Sequence, residues 1–241
     1  MNRAALFDVD GTLADTNHLH VTSWWEAFRQ AGHDVPMHDI HRAIGLPGED
    51  LLAHLLGDDR DTSEDGTLSA AHDTLYGTYF DRLPSFDSAA GLLRELDRRG
   101  WRVVLVTSAG STELEALRRA IGADDAITAT ASSDDVSEGK PAPDPVHHAL
   151  GLADAPAHGA VFVGDTVWDM KAATRAGVAC VGLLCGGIPR RDLEEAGARA
   201  VYRHPADLLE QLDSSPFADV PPGMDREPAQ GERAQGREPA R

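Results

Sequence analysis

Short apolar segments rich in β-branched residues recur along this chain, and each hands over to a stretch with helical spacing. Ala4-Ala5-Leu6-Phe7 is the first. Val103-Val104-Leu105-Val106 precedes a helical pattern over 112–121, where Leu114, Leu117 and Ile121 keep one face. Ala126 to Thr130 reads as a weaker strand. Val161-Phe162-Val163 leads into a helix through Met170, Ala173 and Ala176, which Gly177 closes in the C′ position. Val178 to Leu184 and Ala200-Val201-Tyr202 follow as strands. Alternating strand and helix predicts an α/β fold: a Rossmann-like parallel sheet core with helices on both faces.

Residues 17 to 83 break that rhythm. Val21, Trp24, Trp25 and Phe28 fall at i, i+3, i+4 and i+7, and Leu51, Leu52, Leu55 and Leu56 make a second stripe. Leu68 to Phe80 gives a third helix. The segment predicts a small all-helical insertion after the first strand, its Trp and Leu stripes serving as core. The expected division is a core from 1–16 and 84–213, a helical unit from 17–83, and a tail from 214–241. Pro, Gly, Arg, Glu and Gln dominate that tail, so it buries too little apolar surface to offset chain entropy and is expected to be disordered.

A formal net charge of -18 argues against nucleic acid or an anionic membrane as partner, because both would repel it. The longest uncharged apolar run, Val178 to Ile188, contains three glycines and falls short of the roughly 20 residues a membrane helix needs. No signal peptide is visible before Asp8. Cys180 and Cys185 are the only cysteines and read as reduced packing residues. A soluble, cytoplasmic protein, monomeric or homodimeric, is the expectation.

The chemistry gathers in four places. Asp8 and Asp10 stand two apart behind the first strand, so they share one side while Val9 faces away, and Gly11 permits a sharp turn. Two carboxylates there suggest a divalent cation and a carboxylate nucleophile. Thr107-Ser108 follows the strand at 103–106 and precedes a helix whose N–H groups can hold an anion. Lys140 lies in Gly139-Lys140-Pro141, and Gly164-Asp165-Thr166-Val167-Trp168-Asp169 follows another strand. All four would meet at the carboxyl ends of neighbouring strands. A carboxylate meeting a phosphate ester at about 4 Å costs roughly 1 kcal/mol at water's dielectric and roughly 4 at an effective value of 20. A magnesium ion held by acidic oxygens, plus one lysine, reverses that sign.

With Asp8-x-Asp10-Gly11-Thr12, Thr107, Lys140-Pro141 and Gly164-Asp165-Thr166-x-x-Asp169 in order, residues 1 to 212 resemble the haloacid dehalogenase-like hydrolase superfamily. The branch is the one that includes phosphoglycolate phosphatases and β-phosphoglucomutases. The resemblance implies that Asp8 is the nucleophile and Asp10 the general acid/base. It implies Mg²⁺ bound by the side chains of Asp8 and Asp165 and the backbone carbonyl of Asp10, with Asp169 holding a metal-bound water. Thr107, Lys140 and Ser108 would hold the transferring phosphoryl group. Dehalogenase and ATPase relatives lack an aspartate at position 10, which favours phosphate-ester chemistry here. The expected activity is a magnesium-dependent phosphatase acting on a small phosphorylated metabolite through an aspartyl-phosphate. The alternative is a β-phosphoglucomutase-like sugar phosphomutase, which would need cap cations for a second phosphate: Arg29, Arg42, Arg60 or Arg82.

Other readings stand beside these. Asp169 also suits the first turn of its helix, where the dipole favours a carboxylate. Asp144 reads as a helix N-cap. His20 matches a histidine near the cap hinge in β-phosphoglucomutase-like proteins, and equally suits a packed helix position. His38, His41, His147 and His148 read as surface residues.

Overall fold

The structure, a computed structural model, describes residues 1–132 and 135–221. Six strands form one parallel sheet: β1 (Arg3–Phe7), β2 (Trp101–Val106), β3 (Ile127–Ala131), β4 (Ala160–Gly164), β5 (Ala179–Leu183) and β6 (Ala200–Tyr202). Their order is β3-β2-β1-β4-β5-β6, which puts β1 in the middle, with β2 on one side and β4 on the other. The winding direction reverses between β1 and β4, and open sheets of this kind bind ligands at such a reversal.

Buried strands need a near-continuous apolar run, because both faces are covered. In β1, Ala5 and Phe7 face a layer that includes Val103, Leu105, Val163, Leu93, Leu96 and Leu117. Ala4 and Leu6 face the opposite layer, with Val104, Phe162, Val146, Ala149 and Met170. The first layer is covered by α5 (Ala89–Arg98), α6 (Ser111–Ile121) and α10 (Pro205–Glu210), the second by α7 (Asp144–Leu152) and α8 (Val167–Arg175). Helices thus lie on both faces, as the alternating pattern required. A short helix, α9 (Arg190–Glu195), packs between α8 and β6.

Between β1 and α5 come α1 (Asn17–Gln30), α2 (Met37–Ala43), α3 (Gly48–Leu56) and α4 (Asp65–Gly77). They enclose a separate apolar centre of Trp24, Phe28, Ile40, Leu51, Leu52 and Leu68. Each fully buried side chain of this size contributes about 1.5–3 kcal/mol, which ties the four helices to one another.

Several expectations need correction. The chain does not become a loose tail at 214: Phe217 is buried against Trp101, ring centroids 5.0 Å apart at 79°. One aromatic side chain with an indole to pack on outweighs the polar composition around it. The disorder expected further on falls on 222–241, outside the described residues. Asp144 is the first residue of α7, and Pro143 holds the cap position. Met37–Ala43 forms a helix the apolar pattern did not announce, because only Ile40 and Ala43 are buried in it. Cys180 and Cys185 are free, as expected, but Cys185 is only partly buried. Among the described residues no helix is long and apolar enough to cross a membrane.

Candidate active site

The site begins where β1 ends. Asp8 N donates to Val163 O at 2.9 Å, continuing the β1–β4 ladder by one residue. The chain then turns over Val9, whose carbonyl accepts from Leu13 N (2.8 Å) and Ala14 N (3.0 Å). Gly11 has φ +74, and a Cβ there would lie 2.4 Å from Asp165 Oδ2 and 2.2 Å from Asn17 Nδ2. Gly186 is tighter still, its hypothetical Cβ falling 1.7 Å from the same carboxylate oxygen. The two glycines let the backbone close around Asp165.

On this floor, Lys140 Nζ donates to Asp8 Oδ1 at 2.5 Å and to Val106 O at 3.0 Å, and lies 2.8 Å from Asp169 Oδ1. Asp165 is held by Thr12 Oγ1 (2.7 Å) and Asn17 Nδ2 (2.9 Å). Carboxylate oxygens of Asp8, Asp165 and Asp169 all lie within 4.8 Å of one another. Asp169 combines its two sequence readings. Its Oδ2 completes the cap of α8, accepting from Thr166 N (3.0 Å) and Thr166 Oγ1 (2.6 Å), while Oδ1 faces Lys140.

Three buried carboxylates face one ammonium, and the charges do not balance. Burial, reinforced by Asp169 and only partly opposed by Lys140, lifts Asp8 from 3.8 to about 7. Burial, then Asp8 and Asp169, lifts Asp165 well above the usual carboxylate range, against the hydrogen bonds of Thr12 and Asn17. Burial alone would discharge Lys140, but Asp169 and Asp8 outweigh it and raise its pKa. A hard divalent cation on three oxygen donors would relieve the excess, so the residues fit a metal. The side-chain cluster is Asp8, Asp165 and Asp169; the resemblance assigns Asp10 to the metal through its backbone carbonyl, not its carboxylate. Asp169 takes the third place, because the chain turns after Val9 and carries the Asp10 side chain towards α1.

Asp10 instead meets α1 and α6. Its Oδ1 accepts from Thr16 Oγ1 at 2.5 Å and lies 3.3 Å from His20 Nε2. Glu113 Oε1 is 3.3 Å from the same nitrogen. The tautomers follow from the far end of this chain of contacts. His72 Nδ1 donates to Asp73 Oδ1 at 2.9 Å, so its Nε2 must accept from His20 Nδ1 at 3.1 Å. His20 therefore carries protons on both nitrogens. Its pKa agrees: burial opposes the charge, but the hydrogen bonds and charges of Asp10 and Glu113 raise it to about 10. Burial would raise Asp10, yet the bonds from His20 and Thr16 outweigh this and hold it below its ordinary value. Burial lowers His72, which stays neutral. Tyr76 stacks on His20 with ring centroids 3.8 Å apart, and Trp24 on His72 at 4.3 Å.

Between floor and helices lies a cavity of about 660 Å³, lined by Asp8, Asp10, His20, Trp24, Tyr76, Ser108 and Glu113 among others. Ser108 faces it directly, together with Gly110, Ser111 and Thr112 at the start of α6. Thr107 is buried beside it, its Oγ1 accepting from Ala109 N at 3.0 Å. The helical unit is fastened over the sheet ends at one corner. His41 Nε2 donates to Gly186 O (2.8 Å), Trp168 Nε1 to Arg42 O (3.0 Å), and Arg42 pairs with Asp192 (2.6 Å). His41 is thus no free surface residue. His72, Glu113, Tyr76, Thr12 and Asn17 escaped sequence reasoning. His72 and Tyr76 stand four apart on α4 and share a face, which is the one available signal.

A family model described as haloacid dehalogenase-like hydrolase matches residues 2–177. Validoxylamine A 7'-phosphate phosphatase of Streptomyces hygroscopicus subsp. limoneus is 30% identical over 188 residues, covering 76% of this chain and 86% of that protein. Protein CbbY of Cereibacter sphaeroides is 30% identical over 211 residues, covering 82% and 90%. Among solved structures, a hydrolase from Pseudomonas syringae superposes with a TM-score of 0.84 at 34% identity, over 88% of this chain and 99% of that one.

Proposed function

The chain belongs to the haloacid dehalogenase-like hydrolases and is a phosphoric monoester hydrolase. From that premise we propose that it releases phosphate from a small phosphorylated metabolite through a covalent intermediate on Asp8. Mg²⁺ would be held by the side chains of Asp8 and Asp165 and the backbone carbonyl of Asp10, with Asp169 close enough to hold a metal-bound water. When bound, it neutralises phosphoryl oxygens that would otherwise repel the floor.

The residues then divide the work. Asp8 Oδ attacks phosphorus, and the bond from phosphorus to the ester oxygen breaks. The leaving oxygen takes the proton that His20 Nε2 passes on through Asp10, which leaves Asp10 ionised and His20 neutral. Water next attacks the aspartyl-phosphate while Asp10 accepts its proton, restoring the Asp8 carboxylate and freeing phosphate. Lys140, Thr107 and Ser108 hold the phosphoryl group, and Asp169 orients Lys140 and a metal-bound water. His20 sits at the junction of the cap and the site.

The single observation that carries this reading is the pairing of Asp8 with Lys140 on a floor of three carboxylates. In domain terms, 1–16 and 84–213 form the catalytic core, on which 214–221 pack, and 17–83 form the cap. One chain supplies every residue named, in keeping with a monomer or homodimer. The charge and the lack of a spanning helix among the described residues fit a cytoplasmic enzyme that binds neither nucleic acid nor membrane.

Hydrolysis is favoured over mutase chemistry because none of the four cap arginines lines the cavity. Arg29 pairs with Asp34, Arg42 with Asp192 and Arg60 with Asp65, and Arg82 lies over the Tyr79 ring. The test is phosphate release from a panel of small phosphomonoesters with Mg²⁺, by wild type and Asp8→Asn. Turnover should fall on the order of 10⁴ or more in the variant, with native circular dichroism. Near wild-type activity in Asp8→Asn would overturn the mechanism.

A further inference from the structure

Away from the floor, the cavity changes character. Its lining there includes Trp24, Tyr76 and Phe80 with the carboxylates of Asp73 and Glu113, the latter within 4.8 Å of Asp10 and His20, and no arginine or lysine lines it among the described residues. Lys140 is spoken for below, between Asp8 and Asp169. His20 is the one cation above, and both its nitrogens are engaged, Nε2 with Asp10 and Glu113 and Nδ1 with His72. No imidazole N–H of His20 remains free for a second anionic group.

The unmet hydrogen-bonding capacity points the other way. Glu113 Oε1 is buried and its cationic neighbour is His20 Nε2 at 3.3 Å, a nitrogen it must share with Asp10, while the hydroxyl of Tyr76, a residue 1% exposed, has no hydrogen-bond partner among the described residues. Both line the cavity. Two carboxylates on one N–H leave acceptor capacity over, and with the buried Tyr76 hydroxyl beside it this favours a ligand that brings donors. A carboxylate or second phosphate on the substrate brings none, and would add charge beside Glu113 and Asp73. An ammonium supplies three donors, meets opposite charge, and is attracted to aromatic rings.

We propose that the preferred substrate is the phosphate ester of an amine-bearing alcohol. Its ammonium group is held by Glu113 and Asp73 against the aromatic wall of Trp24, Tyr76 and Phe80. This rests on the phosphatase reading and narrows it to esters whose leaving group carries positive charge. Diacidic substrates such as phosphoglycolate, pyrophosphate or a sugar bisphosphate are disfavoured by the same groups.

The experiment compares kcat/KM for glucosamine 6-phosphate, glucose 6-phosphate, phosphoglycolate and pyrophosphate, all with Mg²⁺. The amine ester should exceed its hydroxyl analogue by about tenfold, and the two diacids should fall below both. Glu113→Gln should cut the ratio of amine to hydroxyl ester by about tenfold. Equal rates for the two sugar phosphates, faster hydrolysis of either diacid, or an unchanged ratio in the variant would each overturn the inference and leave the phosphatase standing. Should Glu113→Gln not fold, the wild-type order decides alone. Phosphate release from none of the four, nor from a wider panel of phosphomonoesters, would overturn both.

Discussion

The floor of the site and the wall above it are built from the same kinds of side chain and behave in opposite ways. On the floor, Asp8, Asp165 and Asp169 outnumber Lys140, and burial drives the aspartates at 8 and 165 towards the neutral form. On the wall, Asp10 and Glu113 share one doubly protonated histidine, and Asp10 is held ionised. The difference lies in what supplies the positive charge. His20 hangs from a helix and reaches two carboxylates through a single nitrogen. Lys140 is fixed between strand ends and leaves the floor short of charge, which is the condition under which a metal binds. Ion pairing of buried carboxylates thus has two outcomes in one cavity, a ready proton and a vacant charge, decided by which element carries the cation.

The sharpest way to break the comparison is Asp10→Asn. If the wall handles protons and the floor does not depend on it, the rate should drop by about 10²–10⁴ while the melting profile stays native. An unchanged rate would remove Asp10 from the proton path. Lys140→Met attacks the other side. Removing one partner of a buried ion pair costs about 3–5 kcal/mol, so urea unfolding should show that loss for the floor. A loss below about 1 kcal/mol, the range of exposed pairs, would show that Lys140 does not tie the floor's carboxylates together as a buried cation.

The smallest expected effect concerns pH and metal. Asp8 moves from 3.8 to about 7 on folding, so the metal-free protein binds more protons folded than unfolded between those values. That contribution to stability is fully present below pH 3.8 and is lost as pH rises through about 7. A divalent cation competes with those protons. Mg²⁺ at a hundred times its dissociation constant stabilises by about 2.7 kcal/mol, and thermal unfolding should show the shift at pH 8 and much less of it at pH 5. An equal shift at both values would detach the metal from Asp8.

How much of this could be read from the chain follows the same divide. All six strands and the floor residues were legible, because a buried parallel strand writes its apolar run directly and a motif sits immediately after it. Asp8, Thr107, Lys140 and Asp165 each stand within a few residues of a strand end or a proline-stiffened loop. The wall was not legible. His72 and Tyr76 lie on α4 and Glu113 in the first turn of α6, far from Asp10 in sequence and joined to it only by packing around His20. The side-chain direction of Asp10 was also hidden, since the Val9 turn sends it to α1 instead of to Asp165. Arg42 shows the same limit: its position suggested a phosphate grip, and its partner Asp192 arrives from 150 residues away.

The central place of β1 has a cost during synthesis. The strand that bears the nucleophile emerges early, yet its ladder is complete only when β4 has followed roughly 160 residues later. At ribosomal speeds of about 5–20 residues per second, an apolar strand with two open edges waits on the order of ten to thirty seconds for its second neighbour. The four helices that follow have their own apolar centre and need no sheet to form it. That centre draws on no strand, so in order of synthesis its buried residues are all made before the first neighbour of β1 exists.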